Sequence, residues 1–338
     1  MNERKQPLRI FGRLWDIHFF AGMNRLGLLV LFLVGGTAHA QSLTAGKKYF
    51  EERQYAEAKK QLAPIKEGNR DFAAAQYYLG RIAFNEGLYD EASEYLEEAT
   101  EADDRQAAYF EWYGKALGNV AQKSNMVRQG MLAPKMKAAW ERAVQLDPKS
   151  TGPRLSLVEY YMQAPGFMGG SKEKAEATAR EIMALDPAEG HRVLGSIYAR
   201  NKKVAEAEKE YLEAARLNPQ YKNALVGFYL AEQQHEKAFV LLEEALKKSP
   251  DDMLVQYQVG RTSAVSGLRL EQGEAALRKY LTYTPKPNEP SLAGANMRLG
   301  QILEKKGNKP AAKKHYDTAL KLDATLKEAK EGLSRVSK

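Results

Sequence analysis

The sequence predicts an all-α fold made of antiparallel helix pairs repeated along the chain, and three observations point to it. The composition favours helix over sheet, with abundant Ala, Glu, Lys and Leu and few β-branched runs, and 44% hydrophobic residues suffice for a sizeable core. Gly46, Gly80 and Gly114 follow one another at 34-residue intervals, and Tyr55 with Tyr89 and Ala58 with Ala92 keep the same interval. Prolines then stand where second helices must stop, at Pro148, Pro187, Pro219, Pro250 and Pro285. The 338 residues do not translate into a domain count, because a repeat array grows by adding units that pack only on their neighbours.

Glycine inside a helix costs about 1 kcal/mol relative to alanine, so its periodic return needs a packing reason. Where two helices cross, a missing Cβ lets the backbones approach, and large side chains beside the crossing fill the space. Leu79-Gly80, Leu194-Gly195 and Leu299-Gly300 mark such crossings. The fullest unit runs His191, Leu194-Gly195, Tyr198, Ala207, Tyr211, Ala214 and Pro219, and the last gives Gly300, Ala312, Tyr316 and Ala319, with Ala324 where proline is usual. In these residues the chain resembles the tetratricopeptide-repeat family, whose signature is an aromatic, a Leu-Gly pair, a Tyr, then Ala, an aromatic and a closing Pro. The resemblance implies a right-handed α-solenoid superhelix whose first helices line a concave, partner-binding groove.

On this pattern the region 41–338 holds about eight repeats, starting near Ser42, Ala73, Ala107, Thr151, Ala188, Tyr221, Met253 and Ala293. A capping helix follows at 326–336, with Ala329, Leu333 and Val336 on one stripe. Tyr49, Trp112, Trp140, Tyr161, Tyr211 and Tyr316 are read as core or interhelical aromatics. Two units exceed the period. The distance from Gly114 to Pro148 is about ten residues longer than that from Gly195 to Pro219, which places an insertion near 120–131, and a second one of about five residues lies at 164–170. Residues inserted into a stack cannot enter its core, so both are expected to project as loops, with Ser171 capping the helix that follows. The unit from Tyr221 to Pro250 is short, which leaves its register open.

Residues 1–40 read as a leader. Met23-Asn24-Arg25 precede the apolar run Leu26 to Val34, then come Gly35-Gly36-Thr37 and the small-residue exit Ala38-His39-Ala40. The run is too short to cross a hydrocarbon core about 30 Å thick, so cleavage before Gln41 is expected, with no membrane span afterwards. That places the mature chain in the periplasm or outside the cell. Arg4, Lys5, Arg9 and Arg13 lengthen the positive region, and Met23 offers a second start.

Composition excludes several function classes. Cysteine is absent, so no disulfide, thiolate metal site or cysteine nucleophile is available. His18, His39, His191, His235 and His315 lie far apart without ligand-like spacing, and no metal or cofactor is expected. The net charge of +8 draws five bases and two acids from the first 40 residues. Elsewhere Lys and Arg interleave with Glu as on solvated helix faces, without a basic run carrying stacking aromatics, so nucleic acid is not an expected partner. The segment Gly166-Phe167-Met168-Gly169-Gly170-Ser171-Lys172 has the wrong order for a phosphate loop, and no strand precedes it. Acidic pairs such as Glu51-Glu52, Glu97-Glu98 and Asp103-Asp104 read as solvated charge, and no hydrolase or zinc motif occurs, so the chain is not read as an enzyme.

The expected function is therefore that of an exported scaffold or adaptor that holds a protein or peptide in its groove. The alternative is a transport-associated solute-binding or accessory protein. One position past each crossing glycine a side chain should turn toward the groove, and in the first three units these are Lys47, Arg81 and Lys115, in 34-residue register. Tyr77, Asn85 and Asn119 share their stripe, and Arg192, Arg200, Tyr257 and Arg261 would extend it. A stripe of like charges gains nothing for folding but favours carboxylates on a partner, so the partner is expected to be acidic.

Overall fold

The computed structural model describes residues 42–338, so the leader, its apolar run and the cleavage before Gln41 lie outside the described residues. Those residues are mostly helical, with no strand among them, and none of their helices is long and apolar enough to cross a membrane. They fall into two compact units divided after Val120.

The first unit holds α1 (42–51), α2 (Tyr55–Leu62), α3 (Phe72–Asn85), α4 (Tyr89–Ala102) and most of α5 (Ala107–Gln122). Within α3 and α4, Gln76 reaches Glu98, Gly80 faces Leu96 and Phe84 packs on Tyr89, so position rises on one helix as it falls on the other. That is an antiparallel pair. The crossings are as tight as the periodic glycines require: a Cβ at Gly46 would stand 2.5 Å from Leu62 Cδ2, and one at Gly80 would stand 2.6 Å from Leu96 Cγ. Leu43, Ala58, Leu62, Ile65, Ala75, Leu79 and Ile82 form the core around them.

The second unit holds α6 (Met126–Leu146), α7 (Gly152–Gln163), α8 (Lys172–Leu185), α9 (Pro187–Arg200), α10 (Val204–Leu217), α11 (Lys222–Ala231), α12 (His235–Lys248), α13 (Met253–Ser266), α14 (Leu270–Tyr280), α15 (Leu292–Lys305), α16 (Lys309–Leu322) and α17 (Lys327–Val336). Each packs on the next, and α11, α13, α15 and α17 also touch in succession. The crossing rule recurs. Tyr211 covers Gly195, Leu277 covers Gly260 and Tyr316 covers Gly300, so the residue that fills the missing Cβ lies sixteen or seventeen positions later in the partner helix. Asp186 ends α8 and caps α9, accepting from the Glu189 amide at 3.0 Å, while Pro187 starts α9 where its missing N–H costs nothing.

α17 closes the array on Tyr316. This ring is fully buried between Gly300 and Gly332, where added Cβ atoms would lie 2.8 Å and 2.3 Å away. Its hydroxyl donates to Glu304 Oε2 at 2.6 Å, and Arg335 of α17 grips the same carboxylate at 2.7 and 3.0 Å. Burial, then the contact with Glu304, pushes the Tyr316 hydroxyl above its usual range. Ala329, Gly332 and Val336 are buried, while Leu333 is only partly so.

One expectation is corrected. The extra residues near 120–131 do not form a projecting loop: α5 runs on to Gln122 and α6 starts at Met126, so the insertion lengthens helices. Met126 to Leu132 contain good helix formers, and the Asn125 side chain caps α6 by accepting from the Arg128 amide at 3.0 Å. The segment at 164–170 does leave the helices, but as a folded turn. Gly166–Met168 make one 3-10 turn, the Tyr160 hydroxyl donates to the Met168 carbonyl, and Gly170 lies so close to the Ala164 carbonyl that no Cβ would fit. Ser171 caps α8 by accepting from the Lys174 amide at 3.2 Å. In the short unit, α11 has ten residues against fourteen in α9, and Gly227 faces open space instead of a crossing.

Candidate partner-binding site

The first helices α1, α3 and α5 position the basic stripe, and the aromatic residues of neighbouring repeats shape it. Arg81 is the only charged residue of α3. Its guanidinium lies 3.8 Å from the Trp112 ring centre, with Phe50 at 5.0 Å and Tyr77 at 5.5 Å, and its Nη1 donates to the Tyr77 hydroxyl at 2.8 Å. The Lys47 amine sits 5.5 Å over Tyr78, and the Lys115 amine 4.7 Å over Trp112. These contacts repeat as the sequence does. Lys47 meets the aromatic 31 positions later, as Arg81 does, and the edge-on pairs Phe50–Tyr78 at 5.2 Å and Phe84–Trp112 at 5.3 Å are one repeat apart.

Charge pairing separates the three cations. Lys115 is bound to Glu111 at 2.6 Å. Among the described residues, neither Lys47 nor Arg81 has a carboxylate within ion-pair distance, and Arg81 Nε is shielded from solvent without a hydrogen-bond partner. A guanidinium stacked on an indole keeps its edge free for a planar anion while its faces are desolvated. Tyr77 and Tyr109 stack at 4.8 Å beside it, and burial, then Asp103, pushes the Tyr109 hydroxyl to about 12. Asn85 donates to the Tyr55 hydroxyl at 3.0 Å and Asn119 to the Lys115 carbonyl at 3.0 Å, so both amides serve the helices themselves.

The predicted residues of the second unit have other partners. Arg200 is clamped by Glu159 at 2.9 and 3.1 Å, and Arg192 by Glu189 at 2.7 and 2.6 Å. Burial alone would raise Glu189, but Arg192 and the Tyr221 hydroxyl hold it below the usual range, while burial and Glu189 push Tyr221 to about 12. Arg192, Ser196 and Arg200 edge a pocket of about 130 Å³ floored by Leu155, Val158 and Ile197. Tyr257 packs on Tyr280 at 5.1 Å, and Arg261 reaches Gln258 at 3.4 Å. Arg192 and Arg200 are thus neutralised locally, whereas Arg261 hydrogen-bonds only the neutral amide of Gln258 among the described residues.

Phe50, Tyr78 and Phe84 belong to the site without having been singled out, and Trp112, read as core, is its platform. The signal was present: Phe50 and Phe84, like Tyr78 and Trp112, are 34 residues apart. Among the described residues no cluster of three or more His, Asp or Glu side chains is arranged to hold a metal ion.

Profiles of the tetratricopeptide repeat match residues 49–112, 188–221 and 293–326. A tetratricopeptide-repeat protein of Parabacteroides merdae superposes with a TM-score of 0.56 at 12% identity, over 89% of this chain and 100% of that one. A thermophilic tetratricopeptide-repeat protein of Thermus thermophilus gives 0.45 at 19% identity, over 57% and 99%. A search of curated proteins found no match. The profiles fall on helix pairs whose glycine crossings have just been described, and over those three stretches the chain is similar to tetratricopeptide repeats within an all-α helical-repeat fold.

Proposed function

We propose that the protein is an exported scaffold whose first unit holds a short acidic segment of a partner protein against Lys47, Arg81 and the Trp112 face. The observation that carries this is Arg81: stacked on Trp112, hydrogen-bonded by Tyr77 and lacking a carboxylate, it is pre-organised for an anion the chain does not supply. The surrounding charge limits the partner. Residues 42–120 carry ten Lys or Arg against fifteen Asp or Glu, and α4 alone has six acids and no base. Such a unit repels an extended polyanion such as nucleic acid, whereas a few carboxylates seated on the stripe meet only the cations.

The test is capture from envelope extract by the immobilised chain. Wild type should retain one protein reproducibly, with retention falling as salt rises, and the variant carrying Lys47→Glu, Arg81→Gln and Lys115→Glu should lose it while its melting temperature stays close to wild type. Equal capture by both would remove the stripe from the binding site. N-terminal sequencing of the same preparation tests export, which requires a chain starting at Gln41.

A further inference from the structure

The acidic-partner stripe leaves the pocket between α7 and α9 without a role. Both helices pack on α8 yet hardly touch each other, unlike α13 and α15, and side chains of both line the pocket of about 130 Å³. Its apolar wall follows from helical spacing: Leu155, Val158 and Met162 stand three and four positions apart on α7, and Val193 and Ile197 four apart on α9. Val158, Val193 and Ile197 are buried, while Leu155 and Met162 stay half-buried.

The two helices also bring one charge of each sign to the pocket. Arg200, at the end of α9, donates through Nη1 and Nη2 to Glu159 of α7 at 2.9 and 3.1 Å, and Gln163 Nε2 donates to Glu159 Oε2 at 2.8 Å. The Arg200 side chain is 45% exposed and that of Glu159 50%, so this is a surface ion pair, and such pairs add little to folding. Neither partner is saturated. The Arg200 guanidinium has further N–H donors, and Glu159 Oε1 accepts only from Arg200 Nη2. Arg192 is held by Glu189 at 2.6 Å and is left out of the site.

We propose that this pocket binds a free aliphatic α-amino acid, with its side chain among Val158, Val193 and Ile197, its carboxylate on Arg200 and its ammonium on Glu159. A ligand of one sign would compete for one member of the pair and leave the other without its partner, whereas a zwitterion meets both and leaves no charge unmatched. In an α-amino acid the two charges and the side chain leave the same carbon, so seating the charges on the pair directs the side chain to the apolar wall. Size narrows the class. An aliphatic cavity of roughly 150 Å³ accepts a six-membered carbon ring, so one of about 130 Å³ suits the chain of leucine, isoleucine, valine or methionine and is too small for an indole. The site lies in the second unit and is independent of the acidic-partner reading.

Calorimetric titration and thermal melting of the full chain test this. L-leucine should give a saturable heat and raise the melting temperature, and it should bind about ten-fold or more tighter than L-alanine, because each buried methylene adds roughly four-fold. N-acetyl-leucine and leucinamide, which each keep only one of the two charges, should bind about ten-fold or more weaker than leucine. L-tryptophan should not bind. Arg200→Gln and Glu159→Gln should each weaken leucine binding about ten-fold while the ligand-free melting curve stays in place, because both side chains are half-exposed. Arg81→Gln should leave leucine binding unchanged, which separates this site from the basic stripe. Neither heat nor a melting shift with leucine at millimolar concentration, binding of N-acetyl-leucine, leucinamide or tryptophan as tight as that of leucine, or undiminished binding by Arg200→Gln overturns the proposal.

Discussion

Gly332→Ala should destabilise the C-terminal cap although alanine is the better helix former. Gly332 lies inside α17, where exchange to alanine normally stabilises by about 1 kcal/mol. Here the new Cβ would fall 2.3, 2.6 and 2.7 Å from three atoms of the Tyr316 ring. That ring cannot retreat: its other face meets Gly300, and its hydroxyl is tied to Glu304. Overpacking of a well-filled site costs about 1 to 3 kcal/mol, and three contacts against a ring fixed on both sides lie at the upper end, so the net loss should be about 1 to 2 kcal/mol. The loss cannot exceed the docking energy of α17, because beyond that the ten-residue helix lifts off. Urea unfolding measures the first outcome and hydrogen exchange of the α17 amides the second. Gly227→Ala in α11 is the control of opposite sign: no atom lies within 4 Å of its Cβ position, so it should gain about 0.5 to 1 kcal/mol. If Gly332→Ala is as stable as wild type and its α17 amides remain protected, Tyr316 is not held between two glycines.

Pro134 lies exposed inside α6, where proline removes one helical hydrogen bond, so Pro134→Ala should raise the melting temperature, with a gain of about 1 to 3 kcal/mol in urea titrations. Burial, with Arg278 and Lys314 nearby, holds the His315 imidazole below its ordinary value, and Nδ1 pairs with Asn296 at 2.9 Å. A depressed pKa means that this stability is complete above the unfolded value of about 6.5 and is lost as pH falls below it, so His315→Gln should flatten the acid side of the stability profile. Burial and Glu289 push the Tyr280 hydroxyl to about 12. Its contribution is complete below about pH 10 and is lost as pH rises toward 12, a loss that Tyr280→Phe should remove in alkaline denaturation.

Helix pairs were readable from the sequence because the crossings are enforced by sterics: a glycine on one helix and a bulky residue sixteen positions on are the same contact seen twice. Gly332 shows where that reading stops. It lies outside the 34-residue register and packs on Tyr316 from the far side, a contact that only the cap creates. The insertion near 120–131 was placed by counting, but counting does not distinguish a loop from a longer helix. Local chemistry does so, through the Asn125 cap and the helix formers after it. In the site, the cations and Tyr77 were found by register, while Trp112 was taken for core because a half-buried tryptophan and a buried one read alike in sequence. Arg192 and Arg200 looked like free cations because their partners, Glu189 and Glu159, are fixed by folding, Glu159 from another helix.

The net charge of +8 conceals this organisation. The first described unit has an excess of five acids, and the second an excess of ten bases. In the acidic unit, cations are confined on α3 and α5 to Arg81 and Lys115, and acids crowd α4. In the basic unit, Arg192 and Arg200 are clamped by Glu189 and Glu159, while Arg261, one position past Gly260 as Arg81 is past Gly80, reaches the amide of Gln258. A cation without a carboxylate in an acid-rich unit is held there by its aromatic neighbours, because Trp112 offers Arg81 a desolvated face that the nearby acids do not reach. Folding alone would be served as well by an apolar residue at that position, packed on the same rings. On the proposed function, a carboxylate supplied by a partner would meet the stacked guanidinium without disturbing any pair the chain already makes.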